Sequence, residues 1–289
     1  MATFTFNGIS SDTYGLKIIE MPPPSRGGNT VESITIPGRP EQLTRSIEEY
    51  ENTELEFEVM ITDISKTRDI FQWLKGNGKL VYSDEPDKYY NVISNDVISA
   101  VRISDELRRF VIRFICSPFA YSIKNDTLSH IFTDIKDSQP EKTIKVTAGG
   151  SYSCEPLYFF RWAGRIEMAV NGGAPLIIDS GTANGEYTDT YTPSGNGTPI
   201  YHYLSPEATM FINTSLRLAY RLENGVRKVC CEMTSGKFPM LEPGENTVKF
   251  RLIPEYTWEH TMPDGTVRQY KHTEQKLLVF DVTPNTRWL

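Results

Sequence analysis

The sequence is poor in cysteine, and the four it has form no recognisable pattern. Cys116, Cys154, Cys230 and Cys231 give no C-x-x-C pair, and the adjacent Cys230 and Cys231 are badly spaced for a zinc site. No stretch approaches the roughly 18 consecutive apolar residues of a membrane helix. The opening "MATFTFNGISS" has neither a basic nor an apolar leader region. The expectation is a chain made and folded in a cytoplasm, away from membranes, with reduced and mostly buried thiols; a vicinal Cys230–Cys231 disulfide is the minor alternative. Excess positive charge is also missing. The net charge is −7, with 14 basic and 18 acidic side chains in residues 1–125 and 16 and 19 in residues 126–289. Acidity spread this evenly argues against nucleic-acid binding by phosphate neutralisation as the main function.

Catalytic signatures are absent too. His130, His202, His260 and His272 contain no H-x-H or H-x-x-x-H spacing. His260 and His272 flank a turn across which they could face each other, and they are expected to be exposed hairpin residues rather than a metal pair. There is no G-x-S-x-G elbow and no G-x-G-x-x-G loop. The two "GNG" stretches, at 76–78 and 195–197, read as a helix end or a loop. Carboxylates are plentiful, but the row Glu54, Glu56 and Glu58 is most simply a solvated strand face. No catalytic residue, metal ligand or cofactor site is expected, and the chain reads as non-enzymatic.

What the sequence does have is strand patterning. With 39% hydrophobic and 23% charged residues it suits a globular protein, with no compositional sign of disorder. "ELEFEVMI" places Leu55, Phe57, Val59 and Ile61 on one face and the three glutamates on the other. "RRFVIRFICSPF" alternates in the same way, with Pro118 expected to end the run. One segment, "TDISKTRDIFQWLKGNGK", reads as an amphipathic helix with Asp63 as N-cap, a stripe of Ile64, Thr67, Phe71 and Leu74, and Gly76 at its end.

The pattern loosens between Tyr121 and Lys142, which puts a boundary near residue 125 and gives domains 1–125 and 126–289. The second half is again strand and turn, with hairpin turns expected at Asn224-Gly225 and Pro263-Asp264-Gly265. Its spacing and punctuation argue for a β-sandwich. In "PLYFFRWAG" alternation sends Tyr158, Phe160 and Trp162 to one side, expected to be core rather than a sugar-stacking platform. The fold class is therefore mainly β: an N-terminal α+β domain with one amphipathic helix, then a C-terminal sandwich.

Several short stretches occur together in order. They are Phe6-Asn7-Gly8, then Ser11-Asp12-x-Tyr14-Gly15-Leu16, then "SITIPGRPEQL" with Ile36-Pro37-Gly38-Arg39, a charged stretch to Tyr50, and the strand entry at Phe57. Near the end stand a Leu-x-Pro-Gly-x-Asn turn in "SGKFPMLEPGENTVKFRL" and the closing "NTRWL". In order and spacing the chain resembles the siphophage tail component family, and within it the distal tail (Dit) proteins of phages infecting Gram-positive bacteria. One departure is Pro40, where the family often has glycine; proline stiffens the loop and removes an N–H donor.

The resemblance implies a ring-forming (belt) domain followed by a galectin-like β-sandwich. It implies a homohexameric ring in the virion at the tail tip, assembled in the bacterial host's cytoplasm. The ring would join the tail tube protein to a tail-tip protein and anchor receptor-binding or other baseplate proteins, with DNA only in transit through its channel. Ile36, Pro37, Gly38, Arg39 and Pro40 are the expected subunit contact. The polar 179–205 stretch and the 255–275 hairpin are the expected partner-docking projections, with Tyr187, Tyr191, Tyr201, Trp258 and Asp264 as candidates. The alternative is a carbohydrate-binding sandwich recognising host cell-wall polysaccharide, which requires Trp162 or the 187–203 tyrosines to be exposed.

Overall fold

The computed structural model describes the chain apart from residues 1, 24–26, 95–97, 134–140, 181–189, 193–199, 205–206, 254–256, 262–266 and 275. For residues 30, 44, 46–48, 190–192, 200–204, 257–261, 267–274 and 276 it describes the backbone alone. Tyr187, Asp264, the turn at 263–265 and the 195–197 stretch lie outside the described residues. The chain divides into two compact units, 1–124 with 287–289, and 125–286. It is mainly β, with a single α-helix among the described residues.

The first unit is built on one antiparallel sheet. Its order runs Ile9–Ser10, Phe4–Phe6, Gly76–Tyr82, Lys88–Ser94, Arg108–Ser122, Thr53–Ile61 and Leu16–Glu20. Alternation in Thr53–Ile61 and Arg108–Ser122 buries Leu55, Phe57, Val59 and Ile61 against Phe110, Ile112, Phe114 and Cys116. Pro118 does not end its strand. The strand continues to Ser122, and its pairing with Lys88–Ser94 shifts register between Cys116 and Ala120. Proline is tolerated there because a bulge frees the backbone from the ladder.

The helix is shorter than expected, Thr67–Trp73, preceded by a 3-10 turn at Ile64–Lys66 whose N-cap Asp63 accepts from Ser65 N. Ile70 and Leu74 form its buried ridge, while Phe71 and Ile64 stay half-buried. Trp73 stacks on Phe4 at 5.6 Å and on Tyr14 at 4.9 Å, and its Nε1 donates to Phe6 O. Gly76 has φ +95 but opens the next strand rather than ending the helix, and the "GNG" at 76–78 is strand.

The motif at the start of the chain has a physical account in this core. Phe6 and Leu16 are buried in it, and the buried Ser11 Oγ accepts from Phe4 N. Asn7, at positive φ, accepts from Lys79 N and donates to Asn77 O.

Residues 43–50, read from sequence as a charged stretch, are a strand. Leu43–Tyr50 pairs with Asn29–Ile34 and with no other described strand, so the two make a hairpin on their own. Charged residues were no obstacle, because a two-stranded ribbon leaves both faces open to water.

The second unit is a β-sandwich. A six-stranded sheet runs Leu128–Ile131, Lys276–Thr283, Leu157–Ala163, Ala208–Asn213, Leu218–Glu223 and Val226–Val229. A five-stranded sheet runs Glu141–Ala148, Gly244–Leu252, Arg165–Val170, Leu176–Asp179 and Thr234–Ser235. They share one core, in which Tyr158, Phe160, Trp162 and Phe280 meet Val146, Met168 and Phe250. A four-stranded sheet joins Thr190–Thr192, Ile200–Leu204, Val267–Glu274 and Thr257–Thr261.

The Leu-x-Pro-Gly-x-Asn turn is a polar knot inside this unit. The fully buried Asn246 accepts from Glu242 N and from Asn171 Nδ2, and donates to Glu242 O and Gly244 O. In the closing motif, Asn285 and Thr286 bond to Glu155 and Asn125 in the second unit. Arg287–Trp288, read from sequence as the end of the second domain, pairs with Arg108–Ser122 in the first unit, where the far end of that long strand has room for it.

Candidate functional site

The described residues place no catalytic constellation together. No three His, Cys, Asp or Glu side chains among them are grouped to hold a metal ion. His260 stands opposite Arg268 in its hairpin, not opposite His272. All four cysteines are free thiols, three of them buried. Burial pushes the Cys116 thiol up to about 12, which makes it inert rather than nucleophilic.

The perturbed groups serve the fold. Tyr82 and Tyr90 both donate to Glu85 Oε2, and Lys88 reaches its Oε1 at 2.7 Å, which locks the turn between two strands of the first sheet. Burial pushes Tyr82 up to about 12. For Glu85, burial opposes ionisation, but hydrogen bonds from Lys88, Tyr90 and Tyr82 outweigh it and hold the carboxyl below its usual range.

The glutamate row on Thr53–Ile61 pairs with the neighbouring strand, Glu56 with Arg113 and Glu58 with Arg109. A hollow of about 220 Å³ on the five-stranded sheet holds four charged side chains, engaged as Glu141–Lys249 at 2.9 Å and Glu167–Arg251 at 2.5 Å. These pairs neutralise the carboxylates of this hollow.

What remains are surfaces. Ile36, Pro37, Gly38, Arg39 and Pro40 form the tip of the hairpin. Arg39 N donates to Ile36 O at 3.1 Å and Gly38 has φ +86, the geometry of a turn with Pro then Gly at its corners. Apart from the half-buried Ile36, the other four are exposed, and no ion pair engages Arg39 among the described residues. Below the tip, Ile34 and Leu43 face each other across the ribbon at 46% and 47% exposure, and Val31 on the other face is 54% exposed.

The outer face of the first sheet also carries uncovered aliphatic side chains, Ile93, Val111 and Ile115. Ile93 and Ile115 line a hollow of about 420 Å³ with Asn77, Lys79 and Asn91.

Tyr191, Tyr201 and Trp258 fall in the four-stranded sheet. Tyr191 pairs with Tyr201, Tyr201 with Tyr270 and Tyr270 with Trp258, so four aromatic residues occupy one row across four strands. This row escaped the sequence reading because it depends on the parallel pairing of Ile200–Leu204 with Val267–Glu274, residues far apart in the chain. Trp162, by contrast, is fully buried and is excluded as a sugar platform.

No family model and no curated protein matches the sequence. In fold, the chain is similar to the crystal structure of the Dit protein (gp 19.1) of SPP1, described as a paradigm of the hub adsorption apparatus in phages infecting Gram-positive bacteria. The match covers 100% of both chains with a TM-score of 0.61 at 13% identity.

Proposed function

We propose that this chain is a structural protein of a phage tail, a distal-tail hub that closes into a homohexameric ring between the tail tube protein and the tail-tip protein. The observation that carries this reading is the isolated hairpin of residues 29–50. A two-stranded ribbon is marginal in water unless another surface covers it, and this one exposes Val31, Ile34 and Leu43. The first sheet's outer face, with Ile93, Val111 and Ile115 uncovered, supplies a complementary acceptor. Arm and acceptor are different surfaces of one subunit, the requirement for a head-to-tail ring. The fold likeness to a Dit protein supports the same assignment. In this reading the first unit is the ring domain, and the galectin-like sandwich carries docking positions for receptor-binding or other baseplate proteins. DNA only passes through the channel.

The mass in solution tests it. One chain is 32.9 kDa, so a hexamer stands at 6 × 32.9 ≈ 197 kDa by light scattering after gel filtration. A chain that stays at 32.9 kDa, alone and with tail-tube and tail-tip proteins, removes the reading.

The row Tyr191, Tyr201, Tyr270 and Trp258 favours a second reading, a surface that binds cell-wall polysaccharide. A glycan array distinguishes it, since a purely structural hub gives no signal there.

A further inference from the structure

The six-stranded sheet of the second unit ends in a strand that is open in both backbone and side chains. Val226–Val229 pairs with Leu218–Glu223, no described strand lies on its other side, and all four of its residues are exposed. The turn before it, Asn224 and Gly225, has φ 51 and 78, the two-residue type I′ geometry that makes Glu223 and Val226 a hydrogen-bonded pair. Bonded and non-bonded pairs alternate along an antiparallel ladder. The bond from Cys230 N to Ala219 O at 2.9 Å sets the same phase. Arg227 and Val229 therefore turn their N–H and C=O groups away from the sheet, two residues apart, the spacing an added strand engages.

The side chains give this edge a preference. Phe159, Phe211, Tyr220 and Val229 are successive register partners across the outer face. Phe159 and Phe211 rings lie 4.9 Å apart and Phe211 and Tyr220 5.3 Å apart. This apolar row runs out at Val229, 55% exposed, with Leu222 at 50% beside it. Arg227 lies over the Tyr220 ring at 5.0 Å and has no carboxylate partner among the described residues, whereas Arg221 and Lys228 share Glu223. Two copies of so basic an edge repel, which disfavours self-pairing. An acidic strand is attracted. The long edge of the other sheet, Glu141–Ala148, differs: its outward Glu141 and Lys145 are already paired within the sheet.

We infer that Val226–Val229 takes an extended segment of another polypeptide as a seventh strand, with a carboxylate facing Arg227 and an aliphatic side chain facing Val229. The main chain supplies the affinity and these two positions the selectivity. The inference stands on the geometry of this edge and not on ring closure, so peptide binding and hexamer formation succeed or fail separately.

The test uses the full chain and a fluorescein-labelled peptide of Glu-Thr-Val-Thr repeats, which sets glutamate and valine two residues apart on one face, as Arg227 and Val229 are. Saturable anisotropy is expected, together with slowed exchange of the Arg227 and Val229 amide protons. Arg227→Pro removes one outward donor and leaves the inward ladder intact; Arg227→Glu keeps the donor and reverses the charge. Each is expected to weaken binding by about tenfold or more, with circular dichroism unchanged for Arg227→Glu. Absence of saturable binding to the wild-type chain overturns the inference. So does Arg227→Glu binding as tightly as the wild type, or protection that appears at a different strand.

Discussion

The Arg287 guanidinium lies 4.4 Å from the centroid of the Phe119 ring, and Arg287 is only 6% exposed. Phe119 meets Tyr50 edge-on at 5.6 Å, so the third residue from the chain's end sits beside the base of the hairpin. Trp288 pairs with Ala120 and has the Lys88 ammonium 5.1 Å over its ring. Truncating Arg287 to Ala removes a desolvated cation–π contact and the packing of its stem, at an expected cost of about 2 kcal/mol. Arg287→Lys keeps the charge without the planar stack and is expected to cost about half as much. Urea unfolding of both variants measures this. A loss below about 0.5 kcal/mol for Arg287→Ala would mark the contact as ordinary surface.

Glu85 makes the first unit sensitive to acid. Its folded-state carboxyl is held below the ordinary range, so its contribution is present above the unfolded value near pH 4 and is lost as pH falls through the lower folded value. Tyr82 has the opposite sign at the other end. With a folded value of about 12, its neutral form is stabilised, and that contribution fades as pH rises above about 10. Glu85→Gln is expected to flatten the acid limb of the stability curve. An acid limb unchanged in the variant would assign the sensitivity to other carboxylates.

Alternation carried most of the fold in advance. Leu55, Phe57, Val59 and Ile61 are buried as read, and so are Tyr158, Phe160 and Trp162, because period-2 patterning reports directly on which face meets a core. The helix stripe was misread by a residue. Its buried ridge runs through Ile70 and Leu74, since a helix of two turns takes its face from the sheet it packs on. Residues 43–50 were illegible as a strand because no face of a lone ribbon has to be apolar. The candidate surfaces were least legible. The aromatic row needs strands about 60 residues apart brought into register, which local sequence does not encode.

Asn246 offers a sharp test of the second unit. Its side chain completes four hydrogen bonds in a fully buried site, and Asn246→Ala leaves the Glu242 N–H, two carbonyls and the Asn171 amide unpaired. The expected cost is about 2 kcal/mol, because four hydrogen bonds are lost at once while their partner groups, on the exposed residues Asn171, Glu242 and Gly244, regain water only in part. Asn246→Asp is expected to fare no better, since a carboxylate would face the carbonyls of Glu242 and Gly244. Thermal unfolding measures both. Variants as stable as the wild type would mean that water enters the site.

The hairpin variants separate assembly from folding. Ile34 and Leu43 face one another on the ribbon and touch no core cluster, so Ile34→Asp and Leu43→Asp are expected to change monomer stability by less than about 0.5 kcal/mol. If this ribbon packs on the neighbouring subunit, the same changes bury a carboxylate at the interface, and ring formation is expected to weaken by several kcal/mol per contact. Arg39→Glu at the tip tests the charge there, because Arg39 has no carboxylate partner in its own chain among the described residues. Light scattering reads the outcome as a shift from about 197 kDa (6 × 32.9) towards 32.9 kDa. Rings that survive all three substitutions would place the subunit contact elsewhere. Loss of the ring with Arg39→Glu alone would mean that an ion pair at the tip, rather than the aliphatic ribbon, holds neighbouring subunits together.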